Sequence, residues 1–116
     1  MSDNCIFCKI ATKEIPTNAV YEDDMVIAFN DLEPQAPVHV LIIPKKHLKS
    51  LLALTDEDKD LLAHITCDVI PALAKKLNIG EKGFRTVVNT GEEGGQTVCH
   101  LHFHLLGGRS MQWPPG

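Results

Sequence analysis

The sequence predicts an α+β domain built on a mainly antiparallel, five-stranded sheet, with one long helix and one or two short ones. Three observations carry that reading. Short segments rich in β-branched residues fall at 20–22, 25–29, 38–43, 84–89 and 98–106. A stretch with 3.6-residue apolar periodicity separates the third from the fourth. The order is helix, three strands, long helix, two strands, so no strand–helix–strand repeat exists from which to build a parallel sheet.

Each element has a local reason. Residues 5–11 are apolar around two cysteines and read as a turn leading into about two helical turns, broken by Ile15-Pro16-Thr17. Val20-Tyr21-Glu22 and Met25 to Phe29 flank Asp23-Asp24 as a hairpin. Val38-His39-Val40-Leu41-Ile42-Ile43 is a strand stopped by Pro44. Thr55 reads as a helix N-cap with Asp58 three residues on, a capping-box variant. Leu62, Ile65, Val69 and Leu73 then recur at helical spacing until Asn78-Ile79-Gly80. That helix, of about 22 residues, holds Pro71, which should kink it because proline has no N–H for the Cys67 carbonyl.

The chain's 116 residues make one domain, 1–116, with 107–116 as a C-terminal tail. Eleven Lys and Arg against 15 Asp and Glu give a net charge of −4, with no basic block. Duplex nucleic acid is therefore an unsuitable partner, whereas a single nucleotide is not. No apolar run nears the roughly 20 residues of a membrane helix. Met1-Ser2-Asp3-Asn4 lacks the basic and apolar regions of a signal peptide, so a cytoplasmic, reducing location is expected. Cys5, Cys8, Cys67 and Cys99 are then thiols or metal ligands rather than a disulfide framework. Cys67 and Cys99 read as core, His64 as a helix residue without a role, and Lys45, Lys46, Lys75 and Lys76 as solvated charges.

The chain has six histidines, and three of them fall within five positions, His100-Leu101-His102-Phe103-His104. On a strand these three share one face, and Leu101, Phe103 and Leu105 share the other, which must be core. Same-face neighbours lie roughly 7 Å apart, which suits groups ranged along a small anion. A solvated face and a three-histidine zinc site are the competing readings, but successive same-face residues of a flat strand do not converge on one ion. Imidazole is nucleophilic when neutral and a donor when protonated. Gly91-Glu92-Glu93-Gly94-Gly95-Gln96-Thr97 runs into this strand, and paired glycines let amides turn toward an anion.

His100 to Leu106 matches the histidine triad signature at every position. Asp31 to His39, Ile43-Pro44-Lys45-Lys46-His47, Val88-Asn89-Thr90-Gly91, Gly94-Gly95-Gln96-Thr97 and Trp113-Pro114-Pro115-Gly116 also resemble the nucleotide-binding branch of that family, over essentially the whole chain. The resemblance implies the histidine triad fold and hydrolysis of purine nucleoside phosphoramidates by a covalent nucleotidyl-histidine intermediate. It implies that His102 is the nucleophile, that His104 and His39 donate to phosphate oxygens, and that His100 orients His102 through its carbonyl. It implies that Asn89, Gly95, Thr97 and the backbone of Gln96 and Val98 hold the phosphate and leaving group. Asp31 would hold the ribose, and Phe7, Phe29, Leu32 and Leu41 would wall the base. The branch usually has Ser at the position of Thr97, which keeps the hydroxyl and adds a methyl on the leaving-group side. Dinucleoside polyphosphate hydrolysis or nucleotidyl transfer is the alternative within the family. A nucleotide-binding interaction module is the alternative outside catalysis.

Cys5-Ile6-Phe7-Cys8 has zinc-ligand spacing, and by itself is open to zinc, a redox pair or two core thiols. His47 and His100, both near sheet ends, are candidate partners. Some bacterial-type histidine triad proteins are similar, and in them the set binds structural zinc. Trp113, the only Trp, lies in a tail with no helix or strand pattern. It is expected to dock on a second copy of the chain and wall its nucleotide site. The family resemblance implies the same two-fold homodimer. Strand 84–89 and helix 55–79 are the expected interface.

Overall fold

The computed structural model describes residues 4–116. Its elements in chain order are α1 (Ile6–Ala11), β1 (Ala19–Glu22), β2 (Val26–Asn30), β3 (Val38–Pro44), α2 (Lys59–Ala63), α3 (Ile70–Lys76), β4 (Phe84–Val87) and β5 (Phe103–Gly107). The five strands form one sheet in the order β1-β2-β3-β5-β4, with every neighbouring pair antiparallel. The expected α+β class and sheet are therefore present. Among the described residues no helix is long and apolar enough to cross a membrane.

Alternation along the strands sorts the core into two layers. Val26, Ala28, Val40, Ile42, Leu101, Phe103 and Leu105 pack with Leu61, Ile65, Val69 and Leu73 of the long helix. Ile27, Phe29, Leu41 and Ile43 face the other way and pack with Phe7 and Ile10 of α1. His39 shares this second face by parity, as does His104 on β5, and both therefore emerge on the α1 side.

The long helix starts as expected: Thr55 and Asp58 form a reciprocal capping box. It does not simply kink at Pro71. A π-helical turn over His64–Val69 joins α2 to α3, and the Ile70 amide donates to the carbonyl of Ile65, five residues back. Widening the helix by one residue is one way to absorb the missing proline donor. Cys67 is exposed, not core, because it lies off the Ile65–Val69 stripe. Lys46 is exposed, as expected, and its Nζ also lies 2.7 Å from the buried Asp58 carboxylate, whose pKa it holds down.

The largest departure is in the last strand. β5 begins at Phe103, not Val98, and β4 ends at Val87. Residues 98–102 run outside the ladder, so strand parity fails for Cys99, which is exposed. This segment is held by point contacts instead. The Leu101 amide donates to the Leu48 carbonyl at 2.7 Å, and Gln96 Nε2 donates to the carbonyls of Lys49 (2.8 Å) and Val98 (2.9 Å).

Candidate active site and cysteine–histidine cluster

Five imidazoles lie on the α1 side of the sheet, and backbone groups fix the tautomers of His39, His100 and His102. A carbonyl only accepts and an amide only donates, so each such contact places a proton. The Gln35 amide donates to His39 Nδ1 at 3.0 Å, which puts the proton of neutral His39 on Nε2. His39 Nε2 then donates to His104 Nδ1 at 2.9 Å, leaving the His104 proton on its own Nε2. The His39–His104 contact follows from register: Leu41 pairs with His104, so His39 is its diagonal neighbour. Asp31 Oδ2 lies 3.5 Å from His39 Nε2.

His102 Nδ1 is 2.8 Å from the His100 carbonyl and must donate to it. In the neutral ring that leaves Nε2 of His102 without a proton. The His102 ring is buried, 5.0 Å from the His104 ring and 5.1 Å edge-on from Phe7. Phe7 also packs against Phe29 at 5.7 Å. Burial lowers the pKa of His39, with Asp31 opposing it. Burial also lowers that of His104, helped by His102 and His39. Both rings are accordingly neutral at pH 7, as the tautomer chain requires.

His100 is fully buried and faces a second cluster. Its Nε2 donates to the Pro44 carbonyl at 2.8 Å, so its Nδ1 carries a single lone pair. That atom meets Cys5 Sγ at 3.3 Å, Cys8 Sγ at 3.4 Å and His47 Nδ1 at 3.1 Å. His47 Nδ1 is also 3.1 Å from Cys8 Sγ. One lone pair accepts one proton, so hydrogen bonding alone does not account for three partners. A cation at the centre would satisfy all four donors at once. Tetrahedral zinc with these donors has edges of roughly 3.3–3.8 Å, within a few tenths of an ångström of those seen here. Cys5, Cys8, His47 and His100 thus form a possible metal-binding cluster, all four donor atoms lying within 4.8 Å of one another. Asp31, His39 and His104 also converge within 4.8 Å. There, however, His39 Nε2 carries its proton, and a metal would have to displace it.

The family model for scavenger mRNA decapping enzyme C-term binding matches residues 4–113. An uncharacterized HIT-like protein of Synechococcus elongatus is 55% identical over 116 residues, covering both chains completely. Protein HitA of Neisseria gonorrhoeae is 50% identical over 105 residues, 90% of this chain and 96% of that one. Among solved structures, a HIT family hydrolase of Legionella pneumophila superposes with a TM-score of 0.94 at 51% identity, covering 97% of this chain and 100% of its own. A histidine triad protein of Clostridium difficile gives 0.90 at 50% identity, with 95% of each chain covered. The chain belongs to the histidine triad (HIT) family.

In this HIT protein Phe7, Phe29, Leu41, His39, His100, His102 and His104 come together, with Asp31 beside His39. Leu32 and Trp113 do not join them: they are 97% and 80% exposed in the single chain. The glycine loop is built as its sequence demands. A Cβ on Gly94 would lie 2.4 Å from the Thr90 carbonyl oxygen, and Gly95 adopts φ +81°. The Gly95 and Gln96 amides are committed to the carbonyls of Glu92 and Gly91. The Thr97 and Val98 amides make none of these loop bonds. Asn89 is half-buried beyond the end of β4.

Sequence reasoning missed the backbone partners, since Gln35, Pro44 and Leu48 act through main-chain atoms that no motif marks. It also missed His64, which bridges Asp23 (2.7 Å) and Asp68 (2.9 Å). The helical spacing from His64 to Asp68 was a readable signal; the contact with Asp23 was not.

Proposed function

We propose that this protein hydrolyses purine nucleoside 5′-phosphoramidates through a covalent nucleotidyl-His102 intermediate, as an adenosine 5′-monophosphoramidase type of enzyme. The observation that carries the reading is the Nδ1–H donation from His102 to the His100 carbonyl, which frees Nε2 as a nucleophile in a buried site. His102 Nε2 attacks the α-phosphorus, the P–N bond breaks, and the nitrogen leaves as a neutral amine with a proton taken from solvent. Water then attacks the phosphorus, cleaves the phosphohistidine bond and releases the nucleoside monophosphate. His104 donates its Nε2–H to a phosphate oxygen. His39, expected as a direct donor, acts through His104, because both its nitrogens are already engaged. Thr97, Val98 and Asn89 would line the phosphate side, with Gly95 and Gln96 shaping the loop that carries them, Asp31 would take the ribose, and Phe7, Phe29 and Leu41 would take the base, with exposed Leu32 at its outer edge. The Legionella relative is described as a HIT family hydrolase, which supports hydrolysis as the reaction class.

Cys5, Cys8, His47 and His100 would hold a structural zinc ion, closing a four-coordinate site with no position for water. Such thiolates suit a reducing cytoplasm. Homodimerisation completes the reading. β4 is an open sheet edge, its Phe84 is 40% exposed, and a groove of about 760 Å³ runs between it and the end of α3, lined by Pro71, Ala74 and Asn78. An exposed edge beside an apolar groove suits a second copy, which would bring its Trp113 to the neighbouring site. Sedimentation at micromolar concentration should give twice the 12.8 kDa chain mass; a monomer would refute this part.

The activity is tested by comparing turnover of adenosine phosphoramidate, guanosine phosphoramidate and a diadenosine polyphosphate, with His102→Ala as control. Phosphoramidates should be preferred, and His102→Ala should lose about a thousandfold or more in kcat while still binding the monophosphate. A variant keeping a tenth of wild-type turnover would remove His102 from its role.

A further inference from the structure

We propose that the cysteine–histidine cluster governs His102, so that Cys5, Cys8 and His47 are positioning residues for catalysis and not merely a staple for the fold. This rests on the function proposed above. His100 belongs to both sites at once. Its ring lies in the cluster, and its carbonyl is the acceptor that fixes the tautomer of His102.

What matters is how that carbonyl is held. Residues 98–102 lie outside the sheet ladder, which begins at Phe103. No strand pairing therefore sets the orientation of the His100 peptide. Its fixed points are the Leu101 amide on Leu48 (2.7 Å), the His100 ring on the Pro44 carbonyl (2.8 Å) and the cluster itself. Pro44 and Leu48 bracket His47, so the two backbone anchors and the His47–His100 contact join the same two segments. Gln96 adds a tie between the glycine loop, Lys49 and Val98. A cation shared by His47, His100 and α1's two thiolates locks these segments together. Without it, two thiols and His47 compete for the single lone pair of His100 Nδ1, and the ring keeps only the Pro44 carbonyl as a firm anchor. Phe7, lying between the two cysteines and against both the His100 and His102 rings at 6.0 and 5.1 Å, carries any shift of α1 to the nucleophile. Outer partners that orient a working imidazole commonly count for about ten- to a hundredfold in activity.

The test compares zinc-loaded protein, chelator-treated protein and His47→Ala, the last altering an exposed ligand remote from His102 in sequence. Nitrogen-15 NMR of the histidine rings reports the His102 tautomer without any substrate. Loaded protein should show the proton on Nδ1 alone; the two depleted forms should show a mixture. With adenosine phosphoramidate, kcat should fall about tenfold or more while KM changes less than about threefold. Zinc should restore the chelated wild type and not His47→Ala, whereas His47→Cys, which keeps four ligands, should recover most of the turnover. Unchanged kcat and tautomer in folded, metal-free protein would overturn the proposal. A chain unfolded without metal would overturn it too, by making the cluster a folding staple. If the tautomer follows zinc but no phosphoramidate is turned over, the coupling stands and the proposed activity fails.

Discussion

His39 and His104 are placed by the sheet, whereas His100 and His102 are placed by a loop. The first pair sits on adjacent strands in diagonal register, and backbone ladders on both sides determine where their rings meet. The second pair lies in a segment held by single contacts to Pro44 and Leu48 and by the cysteine–histidine cluster. A ladder distributes its support over many bonds, so losing one side chain leaves the backbone in place. A loop concentrates support in a few contacts, and each is correspondingly consequential. On the proposed function, the donor to the phosphate sits on the rigid part and the nucleophile on the part held by the cysteine–histidine cluster.

Two substitutions on the sheet-held side sharpen this contrast, with effects second only to that of His102→Ala. His104→Ala removes the donor to the phosphate and should lower kcat by about a hundredfold or more. His39→Ala removes only the group that orients His104, and should cost about tenfold to a hundredfold. Neither should move the His102 tautomer in nitrogen-15 spectra, because neither touches the His100 carbonyl. Equal losses from the two, or a His102 shift in either, would break the distinction drawn between sheet and loop.

An intermediate effect is expected in the glycine loop. Gly94→Ala places a methyl 2.4 Å from the Thr90 carbonyl oxygen, and backbone cannot yield as a flexible side chain would. The loop should rearrange, at a cost to stability of about 1–3 kcal/mol by chemical denaturation. Gly95→Ala, at φ +81° but in open space, should cost about 1–2 kcal/mol, the penalty of a left-handed backbone alone. A larger loss at Gly95 than at Gly94 would show that backbone strain, not contact, shapes this loop.

The same division explains what could be read from the sequence. Alternation placed Leu101, Phe103 and Leu105 in the core and put the histidines on the opposite side. Cap chemistry located Thr55 and Asp58. Cysteine spacing pointed to a ligand pair that the fold brings to His47 and His100. These signals are local and periodic. The start of β5 was not legible, because Val98 to Leu101 have strand-like side chains while the Val98 carbonyl is claimed by Gln96 and the Leu101 amide by Leu48. The π-helical turn was not legible either: Pro71 announces a missing hydrogen bond but not how the helix absorbs it. Contacts such as His64 with Asp23 join residues 41 positions apart and appear only once the sheet is docked on the helix.

That last contact supports the smallest prediction, in a region remote from the nucleophile. His64 Nε2 meets Asp23 Oδ2 at 2.7 Å and Nδ1 meets Asp68 Oδ2 at 2.9 Å, so both nitrogens have a carboxylate acceptor when the ring is charged. These hydrogen bonds, Asp23 first and Asp68 second, raise the His64 pKa above its usual 6.5. Burial pushes Asp23 upward, but hydrogen bonds from Tyr21, His64 and the amides of Met25 and Val26 together outweigh it and hold Asp23 at about 2. Tyr21, donating to the same carboxylate, is pushed up to about 12. Between pH 5 and 9, His64 is therefore the member of this group that titrates. A pKa raised by folding gives stability that is fully present below the unfolded value and lost as pH rises through the folded one. The difference in unfolding free energy between wild type and His64→Gln should thus be greatest near pH 6 and shrink by pH 9, by about 1 kcal/mol or less for a partly exposed pair. Denaturant titrations of the two proteins at both pH values measure it. A difference that stays constant with pH would mean that neutral hydrogen bonding, not charge, ties the π-helical turn to the β1–β2 hairpin.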